Sequence, residues 1–71
     1  GRGGSFESDL AYNLFVLGLV ERDAGNIPVA CDAFGRSERH HENTRAGLND
    51  RYRGRFQFLD AQLPRVLAAC R

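Results

Sequence analysis

The chain has 71 residues, which excludes a multidomain enzyme and predicts one small domain. A domain of this size buries only about 60% of the surface of its unfolded chain, so a cross-link, a metal or a partner commonly adds stability. Ten arginines against nine acidic residues give a net charge of +1, so composition does not favour a nucleic acid, a membrane surface or an acidic substrate. The hydrophobic share of 42% is typical of a folded chain.

The glycine-rich start, Gly1 to Ser5, predicts a flexible leader or a cloning remnant, followed by a single helical domain over residues 6–71. Apolar residues then recur at the spacings of three and four that are typical of a helix: Phe6, Leu10, Leu14, Leu17 and Val20. With Ser5 as N-cap and Gly25 as a left-handed stop, this pattern predicts a first helix over 6–24. The chain nowhere approaches the roughly 18 apolar residues that a spanning helix needs, so we expect no membrane span.

The second predicted helix begins at Asn26-Ile27-Pro28, because proline is tolerated in the first turn of a helix. Its apolar residues lie in its first half: Ile27, Ala30, Cys31 and Phe34. The second half, from Ser37 to Arg45, is polar, and we expect it to project into solvent or toward a partner.

A third helical stripe follows turn residues at 47–50: Tyr52, Phe56, Leu59, Leu63, Val66, Leu67 and Cys70. Pro64 cannot donate a hydrogen bond to the Asp60 carbonyl, so we expect a kink or a break near residues 61–63. β-Branched residues are sparse and never alternate, which argues against strands. The predicted fold is therefore all-α, with three to four helices: an antiparallel helical hairpin plus a C-terminal helix that is kinked or broken near Pro64.

A window of 34 residues, from Ala11 to Thr44, resembles one tetratricopeptide repeat. The residues that carry the resemblance are Leu14, Leu17-Gly18, Gly25, Ala30 and Phe34. Three positions depart from the family pattern: Glu21, Ser37 and Glu42. The resemblance implies that the third helix acts as a cap, and that the protein binds peptides or proteins through its first helix without catalysis. It also implies that Gly18 packs against the second helix near Ala30, so that Gly18→Leu damages folding by overpacking.

The two cysteines are either buried reduced thiols or one disulfide. Because Cys31 and Cys70 lie on the buried stripes of the second and last helices, we predict that they come within disulfide range. The compartment depends on this pairing: extracytoplasmic if the disulfide forms, otherwise cytoplasmic. On an apolar stripe neither thiol is placed as a catalytic nucleophile.

Two polar segments are candidates for contacts rather than for chemistry. His40 and His41 follow Glu38 on the second helix, and Glu38 with His41 has the spacing of a carboxylate-bridged metal site. Only one such motif is present, so we predict no metal, although a site shared within a symmetric dimer stays open. The favoured interpretation is a solvated polar helix end, and the intermediate alternative is a pH-sensitive contact through His40 and His41.

The second polar segment interleaves three arginines with aromatic residues: Arg51, Arg53 and Arg55 with Tyr52 and Phe56. This composition can stack on bases and pair with phosphates. On a helix, however, the aromatic rings would face the core and the guanidinium groups would face solvent or an acidic protein. Nucleic acid is therefore disfavoured as a partner.

The first helix has more apolar residues than two short helices can cover, so we predict a protein partner or a homo-oligomer. The expected contacts are Tyr12, Phe15, Leu19 and Arg22. The chain is thus predicted to be a non-catalytic interaction or scaffolding module that needs no cofactor. The first alternative is a disulfide-stapled extracytoplasmic helical domain, such as a periplasmic chaperone, inhibitor or immunity protein. The second is a nucleic-acid-binding helical domain that uses Arg51, Arg53 and Arg55.

Overall fold

A computed structural model describes the backbone of residues 2–47 and 50–70, and the side chains within these ranges from Phe6 onward. It contains three α-helices: α1 (Arg2–Asp23), α2 (Ile27–Asn43) and α3 (Arg53–Ala68). Two short 3-10 turns, Arg45–Gly47 and Asp50–Tyr52, lie between α2 and α3. The part of the chain that the structure describes has no strand, and the all-α fold predicted from the sequence is confirmed.

The turn between α1 and α2 has the hydrogen bonds of a Schellman motif. The amide of Gly25 donates to the carbonyl of Arg22 (3.0 Å), and the amide of Asn26 donates to the carbonyl of Glu21 (2.8 Å). Gly25 has a φ of 85°, which is the left-handed conformation predicted for it. α1 starts four residues before the predicted boundary, so Ser5 is not its N-cap and the segment predicted as a leader overlaps its first turn.

α1 and α2 form an antiparallel hairpin whose close packing depends on small residues. Ala11 and Ala30 are fully buried between the two helices. A Cβ atom on Gly18 would lie 2.6 Å from Cδ1 of Phe34, so only a glycine fits under that ring. Gly18 therefore packs on α2, as predicted, although the residue that it contacts is Phe34. The core contains residues from all three helices: Ala11, Phe15, Ala30, Phe34, Leu59, Leu63 and Val66.

The kink or break predicted near Pro64 is wrong, because α3 continues through this proline and the helical chain is interrupted at Thr44. Pro64 lies on the exposed side of α3, where water can bond the Asp60 carbonyl that lacks a helical donor. Leu59 and Leu63 hold the helix against the core on the opposite side. At Thr44, both the amide (3.0 Å) and the hydroxyl (2.6 Å) donate to the His41 carbonyl, which tightens the last turn of α2.

Cys31 and Cys70 form a disulfide that joins α2 to the residues that follow α3. Their Cα atoms are 5.7 Å apart, which agrees with the prediction that they come within disulfide range. Because the bridge closes a loop with a sequence separation of 39, the chain-entropy relation gives it a stabilisation of about 4 kcal/mol. The disulfide thus supplies the cross-link that a domain of this size was expected to need.

The polar second half of α2 is held within the fold on one side, contrary to the prediction that it projects into solvent. The hydroxyl of Ser37 is fully buried and donates to the carbonyl of Ala11 at 2.6 Å. The ring of His41 is also buried and stacks on Phe56 with a centroid distance of 4.4 Å. Ser37 and His41 thus both have contacts from another part of the chain, so this side of the helix is buried although it is polar.

Candidate interaction surface

α1 has one side in the core and an opposite side that the rest of the domain leaves uncovered. Ser8, Ala11, Phe15 and Gly18 are buried on the inner side. On the opposite side the exposed fractions are 66% for Phe6, 38% for Val16, 45% for Leu17 and 57% for Val20. Helical rotation places these four residues on one face with Asp9, Asn13 and the half-buried Leu10, and we call this the outer face.

The one charged residue of the outer face is paired within the domain. Asp9 lies between Val16 and Val20 by helical rotation, and its Oδ1 is 2.6 Å from Nη1 of Arg55 on α3. The same guanidinium lies 4.9 Å from the ring centroid of Tyr12. The other six residues of the outer face are uncharged. A partner that covered this surface would therefore meet one carboxylate, which already has a cation beside it.

The four residues predicted as partner contacts do not form one surface. Tyr12 is 37% exposed and lies beside α3 under Arg55. Leu19 is partly buried against the core, and Arg22 is exposed at the end of α1. Phe15 is only 3% exposed, which corrects its expected role as a surface contact. Its ring packs on those of Phe34 and Phe58, each at a centroid distance of 5.7 Å.

The correction for Phe15 has a physical cause in the size of its neighbours on α1. From the spacing of its apolar residues, we predicted that α1 faces the core with Leu10, Leu14 and Leu17. That orientation would turn Phe15 away from the hairpin. Ala11 and Gly18, seven residues apart, instead mark where α2 comes closest to α1. Leu14 stays buried at the border, whereas Leu17 is on the outer face. The paired small residues were the signal in the sequence that could have located the inner side.

Two histidines of α2 are used to hold the helices together. Nδ1 of His40 lies 2.6 Å from Oε2 of Glu7 on α1, and this hydrogen bond is the main cause that lowers the pKa of Glu7. Nε2 of His41 lies 3.2 Å from Oδ1 of Asp60 on α3. Hydrogen bonds from Arg45 (2.8 Å) and then from His41 lower the pKa of Asp60. His40 and His41, which were predicted to make polar contacts, thus contact carboxylates of other helices in the same domain.

The pair Glu38 and His41 does not form the arrangement that its spacing suggested. Glu38 is exposed, whereas the His41 ring is buried and directed toward Asp60. Among the described residues, no group of three or more His, Cys, Asp or Glu side chains is placed to hold a metal ion.

The basic segment at the start of α3 has acidic neighbours. Nη2 of Arg53 lies 2.6 Å from Oδ1 of Asp50, and Arg55 forms the ion pair with Asp9. The guanidinium of Arg51 lies 5.9 Å from the ring centroid of Tyr52. Since Arg53 and Arg55 already have carboxylate partners, the local positive charge is smaller than the sequence suggested.

A small apolar cleft of about 60 Å³ lies beside the disulfide. Its lining includes Arg22 and Ile27, together with Cys31, Val66 and Cys70. Pockets for drug-sized ligands have volumes of about 300–1,000 Å³, so this cleft could not enclose such a molecule. Within residues 2–47 and 50–70, no helix is both long and apolar enough to cross a membrane.

Comparison of the chain with known protein families, with curated proteins and with solved structures gave no match. Function is therefore inferred from the residues and the geometry described above. Among the described residues, the largest group of exposed apolar side chains on one helix is that of the outer face of α1. This face is therefore the candidate functional site.

Proposed function

We propose that this protein is a small disulfide-bonded interaction domain that binds another protein chain through the outer face of α1 and performs no catalysis. The observation that carries the proposal is the exposure of Phe6, Leu17 and Val20 on one side of a single helix. Contiguous apolar patches on soluble proteins commonly mark interaction sites, whereas single exposed apolar residues do not. The outer face contains five apolar residues with one amide, Asn13, and one carboxylate, Asp9, which is paired with Arg55.

The histidines and cysteines in the rest of the domain hold the fold together. His40 bonds Glu7, and His41 bonds Asp60, so both imidazoles join helices to one another. The two sulfur atoms are bonded to each other and offer no nucleophile. A rigid scaffold of this kind presents α1 in a fixed orientation, which lowers the entropy cost of binding.

The resemblance of residues 11–44 to a tetratricopeptide repeat also supports a role in recognition. The close contact of Gly18 with Phe34 suits the small-residue packing that the resemblance implies. The first helix of such a hairpin is the element from which the resemblance predicts binding. A single hairpin cannot bury its own faces, and here α3 and the disulfide cover one side of it.

The disulfide favours one version of this proposal. Disulfides persist mainly in oxidising compartments, so the Cys31–Cys70 bond favours an extracytoplasmic interaction domain, such as a periplasmic chaperone, inhibitor or immunity protein. Nucleic-acid binding is the weaker alternative, because Arg53 and Arg55 are already paired with carboxylates.

Site-specific photo-crosslinking in the native source tests the proposal. A photoreactive amino acid replaces Leu17 on the outer face or, as a matched control, Val29, which is an exposed apolar residue of α2. We expect covalent protein adducts from position 17 and few from position 29. No adducts from position 17, or equal yields from both positions, would contradict the proposed surface.

A further inference from the structure

We infer that the Cys31–Cys70 disulfide is a redox-sensitive latch: when a dithiol reduces it, the chain bends at Pro64 and residues 64–70 leave the helical hairpin. We call residues 64–70 the terminal segment. The latch goes beyond the proposed function, because it concerns the end of α3 and the cleft beside the disulfide rather than the outer face of α1. It depends on how each half of α3 is held, on the place of the proline and on the accessibility of the disulfide.

The first half of α3 is held to the hairpin by polar contacts as well as by apolar packing. Nη1 of Arg55 lies 2.6 Å from Oδ1 of Asp9 on α1. Oδ1 of Asp60 lies 3.2 Å from Nε2 of His41 on α2. The side chain of Leu59 is fully buried in the core. This half of the helix therefore has several attachments that do not involve the disulfide.

The terminal segment is held by apolar contacts and by the disulfide. Val66 is buried, and Leu67 and Cys70 pack partly against the core. Among the described residues, no side-chain hydrogen bond or ion pair joins the terminal segment to α1 or α2. Ordering seven residues costs conformational entropy, and the contacts of one valine and one leucine offset only part of that cost. The disulfide is therefore what keeps the terminal segment on the hairpin.

Pro64 places a weak point between the two halves of α3. It continues the helix without an amide hydrogen, so the Asp60 carbonyl has no helical donor. Helices bend most sharply where the hydrogen-bond ladder is interrupted in this way. Leu63, directly before the proline, is buried in the core and stays with the first half. The terminal segment is too short to remain helical once it has left its neighbours.

The disulfide is accessible to a reductant. Both cysteines are half-buried, and both line the cleft of about 60 Å³ together with Arg22. A dithiol supplies two electrons and two protons: its own sulfur atoms form a disulfide, the bond between the two Sγ atoms breaks, and each Sγ becomes a thiol. A cation in the same lining favours the thiolate through which this exchange proceeds. Val66 and Ala69 also line the cleft, so their departure uncovers Phe34 on its other side.

Amide hydrogen exchange of the full chain, followed by NMR with and without a dithiol, tests the latch. In the reduced protein we expect the amides of residues 66–68 to be protected less than about 10-fold, and those of Phe34 and Ser37 on α2 more than about 100-fold. In the oxidised protein both groups should be protected. Equal protection of the two groups after reduction would overturn the latch, because reduction would then release nothing or unfold the whole domain. A segment that is unprotected even in the oxidised protein would overturn it as well.

Two variants test whether the chain bends at the proline. Pro64→Ala restores an amide that can donate to the Asp60 carbonyl, so it should raise the protection of residues 66–68 in the reduced protein by roughly 10- to 100-fold. Gln57→Ala, which changes an exposed residue in the first half of α3, should leave that protection unchanged. No gain from Pro64→Ala, or an equal gain from Gln57→Ala, would overturn the bend at this position.

The latch and the proposed function can fail separately. The outer face of α1 contains none of the residues that line the cleft. A lack of photo-adducts from position 17 would therefore contradict the proposed function and leave the latch intact. Equal protection of the two groups of amides in the reduced protein would do the reverse.

Discussion

The two faces of α1 differ more in the size of their residues than in their hydrophobicity. The inner face has Ser8, Ala11 and Gly18 around a single large ring, Phe15, and it is buried. The outer face has larger apolar residues along its length, of which Leu10 is half-buried and the others are exposed: Phe6, Leu10, Val16, Leu17 and Val20. Close approach of α2 selects the small residues, and the uncovered side keeps the large ones. In a tight hairpin, the most apolar side of a helix is therefore not necessarily its core side.

The comparison predicts a large difference between two neighbouring residues of α1. Phe15→Ala removes a buried ring that contacts Phe34 and Phe58, so it should lower the free energy of unfolding by about 3–5 kcal/mol. Val16→Ala, on the outer face, should change it by no more than about 0.5 kcal/mol. Urea denaturation of the monomeric protein measures both. Similar losses for the two variants would contradict the division into an inner and an outer face.

A matched pair of glycines tests the closest contact of the inner face. An added Cβ on Gly18 would meet the Phe34 ring, so Gly18→Ala should destabilise the fold by about 1–3 kcal/mol through overpacking. Gly35 is also within a helix, but a Cβ there would meet nothing within 4 Å. Gly35→Ala should therefore stabilise the protein by about 0.5–1 kcal/mol through helix propensity. Thermal unfolding measures the change in stability of both variants, and we expect opposite signs. A Gly18→Ala variant as stable as the wild type would show that α1 and α2 are less closely packed at this position.

Features that depend on neighbouring residues were the ones that the sequence predicted well. The three helices follow from local spacing, and the left-handed turn follows from the conformational freedom of Gly25. The disulfide joins distant residues, but it was predictable because two cysteines on apolar stripes of one small core have few other places to lie.

Features that depend on distant residues were not predictable in the same way. Ser37 is buried because its hydroxyl finds the carbonyl of Ala11, which is 26 residues away. Pro64 stays within a helix because tertiary packing and exposure of its own side offset the missing hydrogen bond. The orientation of α1 depends on which side α2 approaches, and hydrophobic spacing alone leaves this choice open because both faces are apolar.

The smallest expected effect concerns the hydrogen bond between Glu7 and His40 at the edge of the inner face. The hydrogen bond with His40 lowers the pKa of Glu7 in the folded protein below its usual value of 4.5. The contribution of this carboxylate to stability is therefore present above about pH 4.5 and is lost as the pH falls through the lowered folded value. Glu7→Gln should be less stable than the wild type at about pH 6, and this difference should shrink toward about pH 2.

A control for this pH dependence is Asp32→Asn, which removes an exposed carboxylate of α2 that takes no part in the ion pairs described. The difference in stability between Asp32→Asn and the wild type should stay nearly constant over the same pH range. Thermal unfolding followed by circular dichroism at several pH values measures both variants. If the Glu7→Gln difference did not change with pH, the contact between Glu7 and His40 would not hold α1 to α2 in solution. The N-terminal part of the inner face would then rest on apolar packing and on the hydrogen bond from Ser37 to Ala11.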